Sequence, residues 1–154
     1  MTTWNSSAQR KVLACNMALD LYRFEEQYLQ KHFDTIADAI RNNLGHDRIY
    51  YALTSLGDEA VRALYELDQW DTTEMLNLLV SKQHDYGHGN ILAFGIVGVG
   101  IRACDKVARY HNLKDQPDTA HNEPFIDCLK DMVGYAIIAR MLWDNTFTLE
   151  LEGK

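Results

Sequence analysis

The sequence predicts an all-α, single-domain helical bundle. Apolar residues recur every third or fourth position along nearly the whole chain, the period of helices that each bury one face. No segment alternates apolar and polar residues between hairpin turns, as half-buried strands would. Only two prolines interrupt the 154 residues, a length that suits one compact core.

The elements follow in order. From Ser7 to Phe33 one row of apolar positions runs through Val12, Cys15, Leu19 and Tyr22, and a second through Met17, Leu21, Phe24 and Tyr28. Two rows make a wide stripe, so a single long helix with more than one neighbour is expected. Asp34 suits the N-cap of a short helix ending near Gly45. "DRIYYALTSLG" is expected to stop at Gly57, and "DEAVRALYELDQW" to start afresh. In "DTTEMLNLLVSK", Asp71 and Glu74 have capping-box spacing. The glycines of "KQHDYGHGN" predict a tight or left-handed turn before the next helix. "KDQPDTAHNEP" reads as a loop, and Pro124 suits the first turn of the last helix. Gly134, inside that helix, is expected to let another helix approach. Residues 1–70 form an N-terminal helical portion available as an oligomer interface, and residues 71–145 carry the polar motifs.

Composition narrows the function. A net charge of −7 argues against binding long nucleic acid, which needs a basic face, but leaves room for a small basic pocket. No run of about eighteen apolar residues predicts a membrane span. "MTTWNSSAQRK" shows no apolar segment followed by a cleavage site. The three cysteines, Cys15, Cys104 and Cys128, lack CxxC spacing and read as buried free thiols of a reducing cytoplasm.

Two constellations carry chemistry. Arg102, Asp105, Lys106 and Arg109 fall at i, i+3, i+4 and i+7 of one helix, with Val99, Ala103, Val107 and Tyr110 opposite them. Such a stripe can be a solvated face held by weak ion pairs. Glu123, Asp127 and Asp131 are spaced four apart on the last helix, where like charges repel. Carboxylates set among "FI-CL-MVGYAII" need cations, either the basic stripe or a divalent metal. A basic stripe facing a carboxylate ladder suits Mg²⁺ with a polyphosphate; it also suits a structural salt-bridge network. Asp85 can cap, ligate or pair with Arg102, and Tyr86 can stack on a base or simply pack. "GIVGVG" is no dinucleotide fingerprint, since no strand precedes it. The pairs His46-Asp47 and His84-Asp85, with His32 upstream, lie beside turns and make a weak metal-phosphohydrolase pattern, and no zinc-ligand cluster is present.

In order, Lys82-x-x-Asp85-Tyr86-Gly87, Phe94-Gly95, Gly100-Ile101-x-x-x-Asp105-Lys106-x-x-Arg109, Asn112-Leu113, Glu123-x-x-x-Asp127-x-x-x-Asp131 and Tyr135-Ala136 form a set. Over about residues 74–143, it resembles the nucleotide modification associated domain, type 1, a small helical family common in bacteriophages. It is also distantly similar to the MazG-like all-α nucleoside triphosphate pyrophosphohydrolases. The resemblance implies a homo-oligomeric protein acting on nucleotides in the cytoplasm, that of the host if phage-encoded. It implies Mg²⁺ held by Asp127 and Asp131, with Glu123 as third ligand or water-orienting base. Lys82, Arg102, Lys106 and Arg109 would take phosphates, and Asp85 would brace the site, with Asp105 and Tyr86 beside them.

This sequence departs from the MazG-like pattern in two places. Its Glu25-Glu26 is followed by Leu29 where a third Glu is usual, and the last helix uses spacing four rather than three. The opposed charge stripes and the resemblance make a Mg²⁺-dependent nucleoside triphosphate pyrophosphohydrolase the first functional expectation. The second is a non-catalytic protein that binds or sequesters a nucleotide, and the third is a helical structural or interaction protein.

Overall fold

The computed structural model describes residues 1–20, 22–116 and 123–153, and the side chain of Glu123 lies outside the described part. Seven α-helices and no strand occur among the described residues: α1 (Trp4–Ala14), α2 (Gln27–Arg41), α3 (His46–Glu66), α4 (Thr72–Tyr86), α5 (Gly89–Leu92), α6 (Gly95–Lys114) and α7 (Glu123–Trp143). A 3₁₀ turn, Cys15–Leu19, extends α1. The all-α bundle is as expected. No helix among the described residues is long and apolar enough to cross a membrane.

α7 is the central rod, and its sequence says why. Cys128, Leu129, Met132, Val133, Ile137, Ala139 and Met141 are all buried, so apolar residues surround the helix instead of forming one stripe. It packs mainly on α3 and α6, and α2 closes the layer against α3 and α6. α3 contributes Leu53, Leu56, Ala60 and Leu64 to this core; α6 contributes Val99, Ala103, Val107 and Tyr110, the row predicted to face inward. α1 and α4 cover another side of α7. The C-terminal segment folds back to hold α1: Trp4 N–H donates to the Glu150 carbonyl (3.0 Å), and Phe147 meets the Trp4 ring edge-on.

Three boundaries differ from the sequence reading. The expected helix Ser7–Phe33 is two helices, because residues 22–25 are not helical. Distant side chains of α3 hold that break: Glu59 Oε1 accepts from the Glu25 N–H (3.1 Å), and Arg62 Nε donates to the Ala18 carbonyl (2.8 Å). Backbone groups freed from a helix ladder need such partners. Asp34 is no cap; it lies inside α2, where its carboxylate accepts from Gln30 Nε2.

Gly57, read as a helix stop, sits in the middle of α3. A Cβ there would lie 2.3 Å from the Ala136 Cβ of α7, so the glycine marks where the two central helices approach most closely. Gly134, expected to let another helix approach, faces Leu79 of α4 at ordinary contact distance, 3.6 Å from where its Cβ would be.

The starts of α4 and its end follow the sequence. Asp71 caps α4 by accepting from the Glu74 N–H (3.0 Å), although the Glu74 side chain reaches Lys130 on α7 and not back to the cap. Gly87 ends α4 with φ of 67°, the left-handed turn expected of "DYGHG".

Candidate functional site

α4, α6 and α7 converge around a cavity of about 340 Å³, with Trp4 of α1 and the short α5 completing its wall. Its cations are Lys82 from α4, Arg102 and Lys106 from α6, and Lys130 from α7. Its apolar lining comes from Met75, Leu78 and Leu79 of α4, Ile91 of α5 and Ile138 of α7. Arg102 and Lys106 reach the same cavity because they stand one turn apart on α6, while Val99, Ala103 and Val107 fix the opposite face in the core.

Asp131 is the acid of this wall. Its Oδ1 accepts from Lys82 Nζ at 2.7 Å and its Oδ2 from Lys106 Nζ at 3.0 Å, and its side chain is only 15% exposed. Burial works against the charge on Lys106, but the hydrogen bond and charge of Asp131, with Tyr135 nearby, hold its pKa above the ordinary value. Lys130 is paired with Glu74. Arg102 is only partly engaged. One guanidinium nitrogen donates to the Asn90 carbonyl at 3.3 Å, whereas Nη1 is buried without a hydrogen-bond partner among the described residues. A buried cationic donor left unpaired is costly, by about 1–3 kcal/mol or more, and an entering anion would remove that cost. Trp4 Nε1, in the same wall, is likewise buried without a partner there.

The predicted residues divide. Lys82, Tyr86, Arg102, Lys106 and Asp131 come together at the cavity. Asp105 and Arg109 do not line it; both are exposed on α6. Asp85 neither caps nor meets Arg102. It is exposed at the end of α4, with His84 Nδ1 3.8 Å away. Asp127 is exposed on α7, and the Glu123 side chain lies outside the described residues. Among the described residues no three His, Cys, Asp or Glu side chains gather as a metal set. Both Asp131 oxygens are taken by lysines, so Asp131 presents no free oxygen to a cation in this arrangement.

Sequence reasoning missed Trp4, Gln83, Asn90 and Lys130. A signal existed for Lys130: with Gly134 and Ile138 it makes an i, i+4, i+8 row on α7, adjacent to the Asp131 already singled out. Gln83, near the C-terminal end of α4, is only 6% exposed and needs a partner, here His88 Nδ1 at 2.8 Å, but nothing in the local sequence marks that burial. Nothing local marks Trp4, which reaches the wall through tertiary packing.

The thiols take no part. All three cysteines are free. Burial pushes Cys15 and Cys104 up to about 12 and raises Cys128 as well, so each is a protonated, poor nucleophile. Compared with protein-family models, curated proteins and solved structures, the chain shows no match.

Proposed function

We propose that the α4–α6–α7 cavity binds the phosphate of a nucleotide, held directly by Arg102, Lys106, Lys82 and Lys130. The observation that carries this reading is the buried Arg102 Nη1 without a partner, beside three lysines, in a chain whose net charge is −7. Arg102 supplies planar donors to phosphate oxygens and the lysines supply point charges. The apolar wall of Leu78, Leu79, Ile91 and Ile138 takes the uncharged part of the ligand, and Tyr135 and Tyr86 offer rings to a base. The resemblance to a phage-type nucleotide family supports nucleotides over other phosphorylated molecules.

The hydrolytic reading, with Mg²⁺ on Glu123, Asp127 and Asp131 and release of pyrophosphate, rests on that same resemblance. It is the weaker of the two, because Asp131 is occupied by Lys82 and Lys106 and Asp127 stands exposed. Mg²⁺ chemistry is therefore no step of this proposal.

A thermal-shift panel of ribo- and deoxynucleotides, run with Mg²⁺ and with EDTA and followed by product analysis, separates the readings. Binding alone predicts a raised melting temperature that survives EDTA and ligands recovered intact. Pyrophosphate in the Mg²⁺ arm would replace binding with hydrolysis. A panel in which no nucleotide raises the melting temperature contradicts both.

A further inference from the structure

Building on the phosphate-binding reading, we infer that the cavity selects a phosphate monoester dianion, a nucleoside monophosphate, over di- and triphosphates. Charge bookkeeping at the wall leads there. Four cations face the cavity, Lys82, Arg102, Lys106 and Lys130, and two carboxylates already hold three of them: Asp131 bridges Lys82 and Lys106, and Glu74 takes Lys130. Two positive charges remain uncompensated, which matches the two negative charges of one phosphate monoester. A triphosphate would bring about four negative charges into a half-buried space offering two, and unmatched charge away from water is costly.

Size agrees with charge. A cavity of about 340 Å³ lies at the small end of ligand pockets, which run from about 300 to 1,000 Å³. Cations and apolar wall are both within it, so a short ligand with one charged head and one uncharged body fills it. Asp131 is then the positioning residue for charge selection: it keeps Lys82 and Lys106 fixed and subtracts one charge from what the ligand sees.

The test is calorimetric titration of inorganic phosphate, four nucleoside 5′-monophosphates and their triphosphates into wild type, Asp131→Asn and Glu74→Gln. Wild type is expected to bind its best monophosphate about tenfold or more tighter than the matching triphosphate, a gap of about 1.4 kcal/mol. Inorganic phosphate should compete at the same site with weaker affinity, because it leaves the apolar wall empty. Asp131→Asn and Glu74→Gln each remove one negative charge from the wall and should shrink the monophosphate preference by tightening the triphosphate. The two variants alter different elements, so misfolding of one leaves the other to decide. Tighter binding of triphosphates by wild type, or an unchanged preference in both variants, overturns the inference but leaves phosphate binding standing. Absence of binding by every phosphate, inorganic phosphate included, overturns the underlying reading as well.

Discussion

The cavity between α4, α6 and α7 and the groove beside residues 22–32 are both lined by arginine, lysine and tyrosine, yet they use their cations differently. The groove, about 590 Å³, carries Arg23, Lys31 and Arg62 against Glu25, Asp58 and Glu59. Its charges balance, and its best-buried cation is fully engaged. Arg62 donates to Glu59 and to the Ala18 carbonyl and lies over the Tyr22 ring. In the cavity, cations outnumber carboxylates and Arg102 keeps a buried donor without a partner among the described residues. Cations of the first kind hold the backbone break between α1 and α2. Those of the second kind are the ones the proposed ligand would engage. The kind of residue is the same in both places; the balance of cations and carboxylates differs.

Substitutions can break that contrast. The largest effect is expected from Glu59→Ala, which strands the Arg62 charge and the Glu25 N–H in a buried setting. Chemical denaturation should show a loss of about 3 kcal/mol or more, with nucleotide affinity of the folded protein unchanged. Gly57→Ala drives a Cβ into Ala136 and should cost about 1–3 kcal/mol in the same measurement, because α3 and α7 must separate. On the cavity side, Lys82→Ala should leave the melting temperature nearly untouched, since the side chain is half exposed, and weaken ligand binding by no more than about fivefold.

The smallest effect concerns pH. Burial, with Lys31 and Arg62 adding to it, lowers the pKa of His32 below its ordinary 6.5, so the folded state prefers the neutral ring. The unfolded chain binds that proton more readily. Stability from His32 is therefore complete above about pH 6.5 and declines as pH falls through the lower folded value. His32→Gln should flatten the melting-temperature profile between pH 7 and 5 and leave the ligand response alone.

Much of the fold was legible because its signals are local. The inward row of α6, the Asp71 cap and the Gly87 turn each follow from a few adjacent residues. The break between α1 and α2 was not legible, because its backbone partners, Glu59 and Arg62, lie 34 and 44 residues from the groups they hold. Gly57 was misread for the same kind of reason. A glycine that ends a helix and one that admits a neighbouring helix look alike until Ala136 is placed beside it. At the cavity, Arg102, Lys106 and Asp131 stood out through charge and spacing. The exposed Asp105, Arg109 and Asp127 stood out equally, since periodicity places residues on a helix without saying which neighbour that face meets. Trp4 joins only when the C-terminal segment folds back over α1.

The most direct measurement is calorimetric titration of one nucleoside 5′-monophosphate into wild type, Arg102→Ala and Arg23→Ala, with melting temperatures recorded for all three. Arg102 and Arg23 carry the same charge, one in the cavity and one in the balanced groove. Wild type and Arg23→Ala should bind alike, while Arg102→Ala, no less stable than wild type, should lose about tenfold or more in affinity. Equal affinity in all three proteins, or equal losses in both variants, would contradict the assignment of the unpaired arginine to a ligand.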